Sequence, residues 1–124
     1  MEKLKLALDW TPNTNHTGFF VAQQKGLYHN KGLEVELIGP EADNYAVTPA
    51  KKVELGQADF ALCPFESVIS YRTKARPFAV KAIAALLRED LSAIVTLKSS
   101  GLEHPRQLDG KTYASYKARY QDEI

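Results

Sequence analysis

A regular alternation of strand-like and helix-like segments is the feature that most constrains the fold. Residues 3–8 and 33–38 alternate polar and apolar side chains, which is typical of half-buried strands. Residues 59–63 and 78–87 are mostly apolar, as are the buried strands of parallel sheets. A helix is predicted between each pair of consecutive strands. This order predicts βαβ units and an α/β fold whose parallel sheet carries helices on both faces.

Capping residues bound the three predicted helices. The first covers residues 19–25, and Gly26 is placed to cap its carboxyl end. The second begins after Thr48 as the N-cap, with Pro49 in its first turn. The third covers residues 64–75 and carries acidic residues early and basic residues late, as the helix dipole favours.

The same pattern restarts after the fourth strand. Residues 92–97 and 112–115 predict two more strands, residues 104–108 a turn or short helix, and residues 116–124 the opening of another helix. We therefore predict a second lobe that is only begun in this chain.

Composition excludes several classes of protein. With 44% hydrophobic and 25% charged residues and a net charge of +1, the chain is typical of globular domains and has no basic excess for nucleic acid. The single Cys63 excludes an internal disulfide. No apolar run reaches the roughly 18 residues of a membrane helix. Because Met1 leads directly into a strand without a leader-like segment, we expect either a cytoplasmic protein or a mature form whose leader was removed.

Two polar segments follow predicted strands and are candidates for a ligand site. In open parallel sheets the ligand crevice lies at the carboxyl ends of the strands. Residues 9–16 follow the first strand and residues 63–67 follow the third, so we predict that they are neighbours in space.

The first segment carries five candidate ligand-binding residues, namely Asp9, Trp10, Asn13, Asn15 and His16. Trp10 is either a stacking platform for a flat ligand or a core residue that plugs the junction between strand and helix. Asp9 either accepts hydrogen bonds from an exocyclic amine or braces the loop. The two asparagines suit an amide or ring nitrogen, and each also suits a turn. His16 is either a pocket residue or part of a helix cap, and its spacing to the other histidines does not suggest a metal site.

Six further residues are considered outside this segment. Ser67 is a candidate ligand contact at the start of the third helix, where Glu66 either joins it or only complements the helix dipole. Cys63 is predicted to be a small buried hydrophobic residue. In the begun lobe, Tyr116 is a candidate aromatic wall, and Lys117 and Arg119 are candidate anion contacts beside free helix N–H groups. The alternative for this helix is a solvated basic face.

These motifs resemble the family that joins thiamine-pyrimidine precursor-binding proteins to thiamine pyrimidine synthases. Asp9-Trp10-Thr11-Pro12-Asn13, with His16 three residues later, is the most specific part of the likeness. Later parts of the same pattern are 25–28, 32–35, 56–60, 74–76 and 108–111. The resemblance implies a periplasmic-binding-protein-like fold with two lobes closing on a ligand. It would place lobe I at residues 1–91, a hinge crossing and connector at 92–111, and the start of lobe II at 112–124.

The family's enzymatic branch resembles synthases that bind pyridoxal phosphate on a lysine and consume a histidine. Counting back from residues 74–76, these positions fall at Phe65 and Ile69; counting forward from Gly56, they fall at Cys63 and Ser67. Neither register supplies the amine or the imidazole that this chemistry requires. The resemblance therefore favours a binder without a cofactor over an enzyme.

The resemblance predicts that the protein captures a thiamine pyrimidine precursor, similar to formyl-aminopyrimidine or hydroxymethylpyrimidine, for uptake through an ABC permease. It would then act in the periplasm or at the cell surface. The alternatives are a pyridoxal-phosphate-dependent synthase of the same family, a binder of another heterocycle or a sulfonate, and an intracellular ligand sensor. No nucleic-acid partner is expected.

Overall fold

The computed structural model describes residues 1–89, 91 and 93–114. It divides the chain into two compact units, Met1–Ile83 and Ala84–Ile124. The predicted boundaries of lobes and hinge stay a prediction. Among the described residues, the α-helices and β-strands all lie in the first unit. They are β1 (Glu2–Ala7), α1 (Thr17–Gln24), β2 (Leu33–Ile38), α2 (Pro49–Glu54), β3 (Phe60–Ala61) and α3 (Phe65–Thr73).

The three strands form one parallel sheet in the order β2-β1-β3. Its central strand, β1, pairs along its whole length with β2, from Glu2 opposite Leu33 to Ala7 opposite Ile38. The parallel sheet and its intervening helices confirm the predicted α/β fold class. Because β1 has a neighbour on each side, the loop that follows it leaves from the middle of the sheet's carboxyl edge.

The core of this unit lies at the carboxyl end of β1. Leu6, Ala7 and Leu8 are buried there, together with Ala50 of α2 and Ala58 before β3. Small alanine side chains let the helix and strands approach closely, and close contact is what dispersion energy requires. This packed end gives the adjoining loops a rigid base.

Local capping signals account for the helix boundaries. The Thr48 side chain accepts a hydrogen bond from the Lys51 N–H, and Pro49 occupies the first turn of α2, as predicted. Gly26 follows α1 with a φ of 66°, a left-handed conformation in which glycine avoids the Cβ clash. α1 begins at Thr17, two residues before the predicted start, because a 3-10 helix over Thr14–His16 leads directly into it.

The predicted strand over residues 78–87 is wrong, since this segment has no regular secondary structure. Its first residues bond back to α3 instead of to a strand. The Phe78 N–H donates to the Tyr71 carbonyl at 2.8 Å, and the Arg72 guanidinium donates to the Val80 carbonyl at 3.1 Å. An apolar run forms a strand only where a neighbouring backbone can pair with it, and the described part of the sheet ends at the two-residue β3.

The second unit contains two short 3-10 helices, Lys98–Ser100 and Pro105–Leu108. The second of these confirms the predicted turn or short helix, and His104 caps it by accepting from the Arg106 N–H at 3.2 Å. Residues 93–97 and 112–114, predicted as parts of strands, are not in strands because no described backbone pairs with them. The predicted helix over 116–124 lies outside the described residues. Within the described residues, no helix has the length and apolar character needed to cross a membrane.

Candidate ligand-binding site

The carboxyl ends of the three strands meet at one edge of the sheet. Backbone hydrogen bonds of 2.8 Å join Leu8 to Ile38 and Leu62 to Ala7, so the chain leaves all three strands side by side. Both Asp9 and Ser67 lie close enough to act on the Cys63 thiol. The prediction that the two polar segments are neighbours is therefore confirmed.

The loop of residues 9–16 is organised around His16. Its side chain is only 1% exposed. The Asn13 backbone N–H donates to His16 Nδ1 at 3.1 Å, so Nδ1 is the acceptor and the proton lies on Nε2. Nε2 then donates to Asp9 Oδ1 at 2.7 Å. His16 thus closes a ring of hydrogen bonds inside the loop, which agrees with the cap alternative and leaves no ring nitrogen for a ligand.

Asn13 takes part in the same network. Its Oδ1 accepts from the Asn15 N–H at 2.9 Å, and its Nδ2 donates to the Thr11 carbonyl at 2.9 Å. The side chain is therefore a turn element in this structure. Asn15 is exposed at the same turn and contributes its backbone N–H to it.

Trp10 lies on the surface of this braced loop. Trp10 is 51% exposed, which rules out the alternative of a core residue and leaves about half of its surface accessible. The neighbouring Asp9 keeps 47% of its side chain exposed while one oxygen holds His16. An indole face beside a carboxylate can accept a flat ring that carries an amine donor.

Tyr45, for which the sequence predicted no role, lies against Trp10. The two ring centroids are 5.4 Å apart and the ring planes are tilted by 54°. Tyr45 Oη and Thr11 Oγ1 share a hydrogen bond of 2.7 Å. The sequence offered one signal: Tyr45 follows the carboxyl end of β2, the strand beside β1.

The Cys63 thiol lies near Asp9, Glu66 and Ser67. Burial raises the pKa of the Cys63 thiol; the charges of Asp9 and Glu66 raise it further, while a hydrogen bond with Ser67 acts in the opposite direction. The thiol is half-buried instead of fully buried, which corrects the predicted buried position. Such a thiol stays protonated and is a weak nucleophile.

The three remaining candidates, Tyr116, Lys117 and Arg119, lie outside the described residues. Among the described residues, no group of three histidine, cysteine or acidic side chains could hold a metal ion. What the edge of the sheet provides is an aromatic surface, a carboxylate and small polar groups, which suits binding of a flat polar molecule.

Comparisons with known proteins identify relatives of this chain. A Haemophilus influenzae protein described as a thiamine biosynthesis protein is 34% identical over 110 residues, covering 89% of this chain and 33% of the relative. A 4-amino-5-hydroxymethyl-2-methylpyrimidine phosphate synthase of Saccharomyces cerevisiae is 32% identical over 114 residues, covering 89% of this chain and 31% of the relative. The formylaminopyrimidine-binding protein of Halalkalibacterium halodurans is 30% identical over 112 residues, covering 90% and 32%.

This chain spans about a third of the length of these relatives. The model of the family described as NMT1/THI5 like matches residues 13–124, which include α1, α2 and α3 but not Asp9 or Trp10. This match confirms the resemblance inferred from the sequence. The chain belongs to the NMT1/THI5-like family.

Proposed function

We propose that this protein is a solute-binding protein that captures a thiamine pyrimidine precursor between two lobes. The observation that carries the proposal is the half-exposed Trp10 beside the Asp9 carboxylate at the carboxyl edge of the sheet. The indole supplies a stacking face, and the carboxylate accepts a hydrogen bond from the amine of an aminopyrimidine. The relative from Halalkalibacterium halodurans, named as a formylaminopyrimidine-binding protein, supports this choice of ligand.

The start of α3 supports binding over catalysis. A pyridoxal-phosphate enzyme of this family would need a lysine at position 63 or 65 and a histidine at 67 or 69. Cysteine and phenylalanine occupy the first pair of positions, and serine and isoleucine the second. The residues at these positions do not fit the cofactor, because neither the Cys63 thiol nor the Phe65 ring can form the imine that a lysine amine forms.

A protein that captures its ligand by closing two lobes needs a partner to which it releases the ligand. In this proposal the protein works in the periplasm or at the cell surface and delivers its ligand to an ABC permease. The second lobe would close over the exposed face of Trp10 and exclude water from the bound ring.

A synthase is the second candidate function. Its support is the Saccharomyces cerevisiae relative, which is 32% identical and so no more distant than the binding protein at 30%. Sequence identity to relatives does not separate the two functions, whereas the residues at positions 63–69 favour the binder.

Titration calorimetry tests the proposal directly. Formylaminopyrimidine and 4-amino-5-hydroxymethyl-2-methylpyrimidine are titrated separately into the intact protein, and saturable binding of either one is expected. In parallel, pyridoxal phosphate is added, the visible absorbance of an imine is followed, and borohydride is used to trap any adduct for peptide mapping.

The outcomes separate the candidates. Pyrimidine binding without an imine would support the solute-binding protein. A borohydride-trapped lysine together with pyrimidine phosphate formation would overturn it in favour of the synthase. Saturable heat with a sulfonate or another heterocycle, but with neither pyrimidine, would also overturn the proposed ligand.

A further inference from the structure

The segment between β2 and α2, residues 39–47, brings an aromatic ring to the candidate site in a strained backbone. Asn44 and Tyr45 have φ angles of 55° and 63° and are the only non-glycine residues with positive φ in the described part of the chain. Asparagine tolerates this left-handed region, but a bulky aromatic residue rarely adopts it. Such strain persists only where surrounding contacts hold it, and it clusters at ligand sites.

The 39–47 segment is held from outside by α2. The Lys52 side chain is 93% buried, and its Nζ donates to Asp43 Oδ2 at 2.5 Å and to the Val47 carbonyl at 3.0 Å. Within the segment, the Tyr45 N–H donates to the Pro40 carbonyl at 2.8 Å. These contacts fix the backbone on both sides of Tyr45, so its ring is positioned before any ligand arrives.

Tyr45 is also fixed to the loop that carries Trp10. The hydrogen bond between Tyr45 Oη and Thr11 Oγ1 joins residues 34 positions apart, and it sets the ring next to the indole. Tyr45 is nevertheless 49% exposed, almost as much as Trp10. The contact between the rings therefore leaves a substantial part of each accessible at the edge of the sheet.

We propose that Tyr45 is a specificity-determining residue that forms an aromatic wedge with Trp10, and this role rests on the proposed function. Because the two ring planes are tilted by 54°, a flat ligand that stacks on the indole cannot also lie flat on Tyr45. It meets the Tyr45 ring with its edge, an arrangement that aromatic rings favour. The wedge selects flat heterocycles over puckered rings, which cannot satisfy both contacts.

Four variants of the intact protein test the wedge by calorimetry with 4-amino-5-hydroxymethyl-2-methylpyrimidine. Tyr45→Ala removes the edge contact, so its affinity is expected to fall about three- to ten-fold. Tyr45→Phe keeps the ring and loses only the bond to Thr11, so a loss of about two-fold or less is expected. Asn44→Gly relieves a neighbouring strained residue, and Phe20→Ala removes a ring on α1 that is 38% exposed; both should bind as wild type does.

Selectivity is the second readout. A saturated, non-planar tetrahydropyrimidine is titrated into each variant, and Tyr45→Ala is expected to lose most of the preference for the flat ring. If Tyr45→Ala fails to fold by circular dichroism, Tyr45→Leu takes its place, since leucine keeps apolar bulk without an aromatic edge.

The results separate failure of the role proposed for Tyr45 from failure of the proposed function. Wild-type affinity and selectivity in a folded Tyr45→Ala or Tyr45→Leu variant would overturn the role of Tyr45 and leave the proposed function standing. A wild-type protein that binds neither pyrimidine would overturn the proposed function and the wedge together. Weaker binding in Tyr45→Ala, with Asn44→Gly and Phe20→Ala unchanged, would support the wedge.

Discussion

The segments that follow β1 and β2 lie side by side at the carboxyl edge of the sheet, but they are held in different ways. The loop of residues 9–16 is held from within, by a buried imidazole that bonds Asp9 and Asn13 of the same loop. The 39–47 segment is held from outside, by the ammonium group of Lys52 in α2.

The difference teaches how each segment contributes to the site. A loop that satisfies its own polar groups presents the exposed Trp10 on a backbone held largely by hydrogen bonds within the loop. The 39–47 segment keeps its strained Tyr45 only while α2 is docked on the sheet. We expect the first segment to resist perturbation elsewhere and the second to report on packing of α2.

Removing the imidazole of the first loop should have the largest effect on stability. His16→Ala creates a cavity and leaves the Asp9 carboxylate and the Asn13 N–H without their buried partner. We expect the free energy of unfolding, measured by urea denaturation, to fall by about 2–4 kcal/mol. Asn15→Ala, in the same loop but exposed, should change it by about 0.5 kcal/mol or less. Equal losses in the two variants would contradict the central role of His16.

Breaking the anchor of the second segment should have the next largest effect. Lys52→Met removes a buried ammonium group and leaves Asp43 without its cation, so we expect the Tm to fall by several degrees. The matched control is Lys51→Met, whose ammonium is 46% exposed and pairs with Glu54, and which should lower the Tm much less. The double variant Asp43→Leu with Lys52→Met should recover part of the loss, because no buried charge is then left alone.

Trp10→Ala removes the indole that contacts Tyr45 of the 39–47 segment. We expect the affinity for an aminopyrimidine to fall about ten-fold, which corresponds to roughly 1.4 kcal/mol. Because the indole is half-exposed, the effect on stability should be smaller than that of His16→Ala. Calorimetry on both Trp10→Ala and Trp10→Phe checks this, and unchanged affinity in the alanine variant would reject stacking on Trp10.

The ion pair of the second segment should make the stability of the fold depend on pH. The hydrogen bond from Lys52 is the main cause that lowers the pKa of Asp43 below its ordinary value. A lowered carboxyl pKa stabilises the folded state above the unfolded-state pKa, about 3.9, and this contribution is lost as the pH falls through the folded-state pKa. The Tm difference between wild type and Lys52→Met should therefore be constant above about pH 5 and shrink below about pH 4. A difference independent of pH down to acid unfolding would contradict this.

The smallest effect should come from the charges on the face of the sheet, which touch neither segment. Lys5 and Glu36 lie in register on β1 and β2, with 3.8 Å between Nζ and Oε2, and both side chains are more than half exposed. A double-mutant cycle of Lys5→Ala and Glu36→Ala should give a coupling of about 0.5 kcal/mol or less in urea unfolding. A larger coupling would mean that surface pairs, and not the two anchored segments, stabilise this edge of the fold.

Patterns local in sequence predicted much of the fold. The alternating residues of β1 and β2 and the Thr48-Pro49 cap of α2 appear in the structure as expected. The strand predicted from the apolar run at 78–87 is wrong. The pattern shows which side chains are apolar, but it does not show whether a neighbouring backbone is available for pairing.

For the site, the sequence by itself determined the chemistry of the loop at 9–16, the absence of a lysine or histidine at positions 63–69, and the family. Only the tertiary structure decided which of these groups are buried and which are exposed. It turned His16 inward and left Trp10 exposed. It also brought Tyr45 to Trp10, because pairing of β1 with β2 sets side by side two segments that are more than thirty residues apart in sequence. Local patterns encode turns and caps, whereas contacts between segments form only when the strands pair and the core closes.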